Sequence, residues 1–92
     1  MLTVLAGKSD QQQYRLTSKL TVIGKSPNAS IRLKGWFAPQ VGATITKRDQ
    51  RYIISPGEKK VIVDGQQISG QKELSEGSTV DVAGLKMSFD FE

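Results

Sequence analysis

The 92-residue chain contains no cysteine and no histidine. Without cysteine there is no disulfide framework, no thiolate nucleophile and no cysteine-based zinc or iron–sulfur site. Without histidine the chain lacks the commonest metal ligand and the commonest general base. We therefore expect neither a metal nor a cofactor, and a chain without disulfides fits a reducing, cytoplasmic setting.

Long hydrophobic runs are also missing. The longest aliphatic runs are three residues, such as Val61–Val63, whereas a membrane-spanning helix needs about 20 apolar residues. The first residues, Met1–Ala6, lack the cationic lead of a secretory signal. The sequence predicts neither membrane insertion by this domain nor secretion.

Charge of one sign is in modest excess, with 13 Lys and Arg against nine Asp and Glu. The basic residues are spread from Lys8 to Lys86, and no basic run exceeds two. Such a pattern is typical of a solvated surface rather than of a nucleic-acid-binding stripe. Nucleic-acid binding is kept as an alternative hypothesis, under which the affinity for nucleic acid would fall steeply with salt.

Short strands are the dominant signal along the chain. Leu85, Met87, Phe89 and Phe91 alternate with polar residues, which predicts a strand with one buried face. Turn residues recur about every 8–12 positions, and no stretch of ten residues has a helical period. One small domain covering residues 1–92, a β-sandwich or barrel, is therefore expected.

Two local patterns give more specific expectations. The run from Lys19 to Ile23 predicts a strand with Leu20 and Val22 on the core side and Ile23 entering a turn. Asp64-Gly65 predicts a two-residue type I′ hairpin, because both positions of that turn need a positive φ.

Enzymatic motifs are incomplete in this sequence. Gly-Lys-Ser occurs at residues 7–9 and 24–26, but a phosphate-binding loop also needs a glycine five residues before each, where Leu2 and Lys19 stand. The pair Glu73 and Glu76 is typical of solvated surface acids. We expect the protein not to be an enzyme.

The order of apolar strands and turn residues along the chain resembles that of a forkhead-associated (FHA) domain. The segment 20–26 followed by Ile31-Arg32-Leu33 matches an apolar strand, Ile-Gly-Arg, a polar loop and Ile-x-Leu. Segments 63–68 and 74–84 match the family's later Val-Asn-Gly-x-x-Ile and Leu-x-Asp-Gly runs. The resemblance implies an all-β sandwich of about ten to eleven short, mostly antiparallel strands, usually part of a larger protein, that binds phosphothreonine peptides through loops at one end.

At the positions that bind phosphothreonine in the family, this sequence differs from the family pattern. Lys25 replaces the arginine after the first glycine, which keeps the charge but loses the fork geometry suited to phosphate. Ser26 keeps a hydroxyl in the same loop. Pro39 falls at the family's serine and offers neither a hydroxyl nor a backbone N–H.

The remaining family positions differ as well. Gln40 falls at the arginine beside that serine, and Gly42 falls at the structural histidine. Lys59 and Lys60 fall near the asparagine and glycine that grip the peptide backbone. Dependence on phosphothreonine is therefore expected to be weak or absent.

Three loops share one end of the implied sandwich, namely residues 24–30, 34–42 and 55–60. They carry Lys25, Lys34, Lys59 and Lys60 against Glu58. This excess predicts an anion-binding end. The alternative is that these lysines only keep the loop tips solvated.

The middle loop contains two adjacent aromatic residues, Trp36 and Phe37. We expect Phe37 to cap the core and Trp36 to be exposed as an anchor for a partner. The alternative is that both are buried as a plug over the end of the core.

These patterns predict a non-enzymatic protein-interaction module that binds a protein or peptide segment, acidic or phosphorylated. The candidate binding residues are Lys25, Ser26, Lys34, Trp36, Gln40, Lys59 and Lys60. Two alternatives are a phosphothreonine-dependent signalling domain and a structural or assembly domain that packs on a neighbouring domain or on itself.

Overall fold

The structure, a computed structural model, describes residues 1–35 and 38–91. These residues form eleven short strands in two sheets. The strands are β1 (Leu2–Ala6), β2 (Gln13–Tyr14), β3 (Leu20–Gly24), β4 (Ile31–Arg32), β5 (Ala43–Arg48), β6 (Arg51–Pro56), β7 (Val61–Val63), β8 (Gln66–Ile68), β9 (Lys72–Glu73), β10 (Thr79–Val82) and β11 (Leu85–Phe89). The predicted all-β sandwich is confirmed.

The strand order is β2-β1-β11-β10-β7-β8 in one sheet and β4-β3-β5-β6-β9 in the other. Among the described strands only β3 and β4 pair in parallel, and the other pairs are antiparallel. The strands at the edges, β2, β8, β4 and β9, are two or three residues long.

The inner faces of the two sheets form one hydrophobic core. Met87 and Phe89 of β11 are fully buried in the same cluster as Ile23 and Ile54 of the other sheet. Phe91, the last residue of the predicted apolar face, lies at the edge of the core with 46% of its surface exposed. Its ring centroid is 5.0 Å from that of Phe89.

The predicted inward face of β3 is wrong. Thr21 and Ile23 are buried, whereas Leu20 is 53% exposed. Ile23 continues the strand and pairs with Ile31 and with Ala43, both fully buried. Because side chains alternate with a period of two, this one-residue shift moves the whole strand to the opposite face.

Two hairpin turns have positive φ at both central residues. Asp64 and Gly65 have φ of 52° and 83°, as the predicted type I′ turn requires. Ala83 and Gly84, between β10 and β11, have φ of 51° and 90°. The Gly84 amide donates to Asp81 Oδ1 at 3.1 Å, which holds this second turn in place.

Candidate functional site

Backbone hydrogen bonds tie three loops together at one end of the sandwich. These are the β3–β4 loop (residues 25–30), the β4–β5 loop (residues 33–42) and the β6–β7 loop (residues 57–60). The Lys25 amide donates to the Pro39 carbonyl at 2.9 Å, and the Ser26 amide donates to the Gln40 carbonyl at 3.1 Å. The Glu58 amide donates to the Val41 carbonyl at 2.9 Å. The β4–β5 loop is therefore held between the other two, and we call these three the gathered loops.

The close approach of these loops depends on Gly24. A Cβ placed on Gly24 would overlap the Gln40 carbonyl oxygen. A backbone oxygen held in a hydrogen-bonded loop cannot move aside as a flexible side chain could. Glycine at the end of β3 therefore allows the β3–β4 and β4–β5 loops to meet.

Glu58, the anion among the loop charges, fixes the backbone. Its Oε1 accepts a hydrogen bond from the Val41 amide at 2.9 Å. The carboxylate thus clamps the β6–β7 loop to the β4–β5 loop, and it does so from an exposed position.

Pro39 and Gly42, which the resemblance sets at the family's serine and histidine, lie against each other in the structure. Both residues are buried. A Cβ on Gly42 would lie 2.8 Å from Val82 Cγ1 and 3.2 Å from Pro39 Cγ. The proline ring and Val82 therefore occupy the space that a side chain at position 42 would need.

A basic depression lies beside the β4 edge. Lys25, Arg32 and Lys34 line it together with Asp10, Leu33 and Gly35, and its volume is about 670 Å³. Lys34 Nζ is 3.2 Å from Asp10 Oδ1, and both side chains are about half exposed. We call this feature the β4 depression.

Arg32 was not among the predicted site residues. The alternation Ile31-Arg32-Leu33 buries the first and third residues and leaves Arg32 exposed. Parallel pairing sets Arg32 opposite Gly24, one residue before Lys25. The alternation alone could have shown that Arg32 is exposed, but its proximity to Lys25 depends on the strand pairing.

The predicted site residues do not converge on one point. Lys59 and Lys60 line a second, smaller depression of about 270 Å³ with Asp81 among its other residues. Ser26 is partly buried and Gln40 exposed, and their loops are joined at these two residues. The expectations for Trp36 and Phe37 lie outside the described residues.

The described residues form neither a metal-binding cluster nor a membrane-spanning helix. Within residues 1–35 and 38–91, no group of three or more acidic, His or Cys side chains lies close enough to hold a metal ion. In the same part of the chain, no helix is long and apolar enough to cross a membrane.

Comparison with known proteins gives structural matches only. No protein-family model matches the sequence, and no curated protein matches it. EmbR of Mycobacterium tuberculosis, solved with a low-affinity phosphopeptide, superimposes with a TM-score of 0.86 at 19% identity. That match covers 99% of this chain and 24% of the EmbR chain, so this chain spans about a quarter of EmbR.

Two isolated FHA domains match over nearly their whole length. The FHA domain of the CT664 protein of Chlamydia trachomatis has a TM-score of 0.78 at 27% identity, covering 95% of this chain and 91% of that one. The FhaA FHA domain, solved with the intracellular domain of Rv3910, has a TM-score of 0.76 at 15% identity, covering 96% and 98%. Together with the eleven-stranded sandwich and its three hydrogen-bonded loops, these matches show that the chain has an FHA-like β-sandwich fold.

Proposed function

We propose that residues 1–92 form a non-enzymatic protein-interaction domain that binds a partner segment through its gathered loops, with weak or no dependence on phosphothreonine. Two neighbours of this fold support binding of peptides and proteins. EmbR was solved with a phosphopeptide, and the FhaA FHA domain was solved with a partner domain.

The contact between Lys25 and Pro39 carries the proposal of weak phosphothreonine dependence. Their backbone hydrogen bond holds the two positions next to each other, where the FHA pattern implies an arginine and a serine. Proline offers no hydroxyl and no N–H, and lysine offers a point charge in place of a bidentate fork. A phosphate on a bound threonine would therefore gain few directed hydrogen bonds.

The test compares an oriented peptide library with a central phosphothreonine against the same library with threonine. We expect the domain to prefer the phosphorylated library by less than about fivefold, the upper range for an exposed ion pair. Lys25→Ala should weaken the binding of both libraries to a similar extent. Lys72→Ala removes an exposed charge at the opposite edge of the same sheet and serves as the control.

A large preference for phosphothreonine that Lys25→Ala abolishes would contradict this proposal. It would support the alternative of a phosphothreonine-dependent signalling domain. The measurement therefore separates the two readings of the same loops.

The outer face of the five-stranded sheet supports a second candidate function, a structural or assembly domain. Leu20, Thr46 and Ile53 pair across β3, β5 and β6, as do Val22, Thr44 and Ser55 in the next row. These six side chains form an uncharged patch on a chain of which 24% is charged. The patch ends at Glu73, which pairs with Ile53, and within this border it could pack against a neighbouring domain or a second copy.

Light scattering of the domain tests the second candidate by measuring its association with itself. Association that Leu20→Lys removes, with peptide binding unchanged, would support it. A strictly monomeric and inert domain would count against it.

A further inference from the structure

The charges of the β4 depression are unbalanced. Three cationic side chains line it, Lys25, Arg32 and Lys34, against one carboxylate, Asp10. Its volume lies within the roughly 300–1,000 Å³ range of ordinary ligand sites. The depression therefore has the size and charge to accept an anionic segment rather than a single ion.

Arg32 retains hydrogen-bonding capacity in this arrangement. Its Nη2 donates to the Pro27 carbonyl across 3.4 Å, a long and exposed contact. A guanidinium has five N–H donors in a planar fork that matches a carboxylate. Within the described part of the chain, Arg32 makes no ion pair.

Asp10 is positioned by its own loop. In the β1–β2 loop (residues 7–12), Ser9 Oγ donates to the Gln11 carbonyl at 2.5 Å. The Gln11 amide in turn donates to Tyr14 Oη at 3.1 Å, and Tyr14 is buried in the core. The carbonyl and the amide of Gln11 are thus both hydrogen-bonded. The neighbouring residue, Asp10, lies beside Lys34.

Three backbone amides around the depression are not available to a phosphate group. Phosphate sites in proteins commonly use several backbone amides that converge on the oxygens. Here the amides of Lys25, Ser26 and Leu33 already donate to the carbonyls of Pro39, Gln40 and Gly24. The side-chain cations Lys25, Arg32 and Lys34 are spread over the depression and can bind carboxylates at several points along a segment.

We infer that the β4 depression binds a carboxylate-rich segment of the partner, and that Asp10 acts as an internal competitor by pairing with Lys34 in the unbound domain. This inference rests on the proposed function and specifies the chemistry of its partner. Binding replaces the Lys34–Asp10 pair with a ligand carboxylate, while Arg32 and Lys25 engage further acidic side chains. Arg32 and Lys25 are then binding residues, and Asp10 sets the affinity.

The experiment uses fluorescence anisotropy at low salt with a short glutamate-only peptide, a glutamine-only peptide of equal length and the glutamine peptide with one phosphoserine. We expect the glutamate peptide to bind most tightly. Arg32→Gln should weaken it by about two- to fivefold, and Asp10→Asn should tighten it by a similar factor, as for an exposed ion pair.

Arg48→Gln is the matched control. Arg48 is exposed at the end of β5 that pairs with Arg51, whereas the other end of β5, at Ala43, adjoins the gathered loops. The substitution Arg48→Gln removes the same charge as Arg32→Gln, but at the far end of the same sheet. Thermal melting of each variant verifies that these surface changes leave the fold intact.

Equal weakening by Arg32→Gln and Arg48→Gln would overturn the site, since it would mean attraction by net charge alone. Unchanged or weaker binding by Asp10→Asn would overturn the competitor role. Tighter binding of the phosphoserine peptide would show that the site takes phosphate instead. If Lys60→Gln weakens peptide binding and Arg32→Gln does not, the proposed function stands and this inference fails. If the unmodified domain binds none of these peptides and neither threonine library, both are overturned.

Discussion

The backbone amide of Lys25 donates to the carbonyl of Pro39 at 2.9 Å. This bond joins two loops at the two positions where FHA domains are expected to carry an arginine and a serine. The loop framework is therefore present, and what differs is the pair of side chains mounted on it.

Restoring both side chains should create a preference for phosphothreonine. In the double variant Lys25→Arg with Pro39→Ser, a guanidinium fork and a hydroxyl would stand on adjacent backbone positions. Charge-assisted hydrogen bonds contribute about 1.5–3 kcal/mol each, so we expect the preference over threonine to rise by about tenfold or more. Anisotropy titrations with the two peptide libraries measure it.

Each single variant is the control for that experiment, because neither restores the pair. A folded double variant with no gain in preference would mean that the loops hold position 39 in an unproductive orientation.

Gly24→Ala should destabilise the domain strongly. The new Cβ would overlap the Gln40 carbonyl oxygen, so the two loops would have to separate. We expect the free energy of unfolding to fall by about 1–3 kcal/mol, as in other overpacked sites. Urea denaturation measures the change.

Gly70→Ala is the matched control for Gly24→Ala. A Cβ at Gly70 meets no atom within 4 Å, so we expect no loss and a gain of up to about 1 kcal/mol. Equal effects at the two glycines would contradict the close approach of the loops.

Ala83→Asn should stabilise the β10–β11 turn. Ala83 has a φ of 51°, in the left-handed region that alanine disfavours by about 1–2 kcal/mol and that asparagine tolerates better. We expect the midpoint of thermal unfolding to rise. Ala6→Asn, at an exposed strand position, should give no such rise.

The corrected register of β3 gives a further prediction. Ile23→Ala should lower the free energy of unfolding by about 2–5 kcal/mol because it empties a fully buried site. Leu20→Ala, at a position that is 53% exposed, should change it by about 0.5 kcal/mol or less. A larger loss at Leu20 than at Ile23 would restore the face that the sequence pattern predicts.

Sequence patterns were informative where one face of a strand is clearly apolar. Leu85, Met87 and Phe89 have polar neighbours, so their buried face could be predicted. In β3 both faces carry branched side chains, and Gly24 directly after Ile23 is a residue type that is common at the start of a turn. Only pairing with Ile31 and Ala43 decides which face is buried.

The two-residue strand β9 was not predicted, for a related reason. Lys72 and Glu73 are both exposed, so they show neither the alternation nor the apolar content of a strand. Their strand conformation comes from pairing with Ile53 and Ile54 of β6.

The candidate site was predictable only in part. The resemblance to the FHA pattern implied that the loops carrying Lys25 and Pro39 lie at one end of the sandwich. Arg32 was missed because its closeness to Lys25 comes from the parallel β3–β4 pair. Lys34 and Lys59 line different depressions, which depends on the path of the loops in the folded sandwich and cannot be inferred from local sequence patterns.

The four edge strands also limit how this domain can aggregate. Each offers an incoming strand only two or three residues of backbone, and charged Arg32, Lys72 and Glu73 lie on two of them. Short and charged edges oppose the strand-to-strand addition that propagates fibrils. We therefore expect concentrated samples to remain free of cross-β polymers, and addition of a partner strand is disfavoured at each of these four described edges.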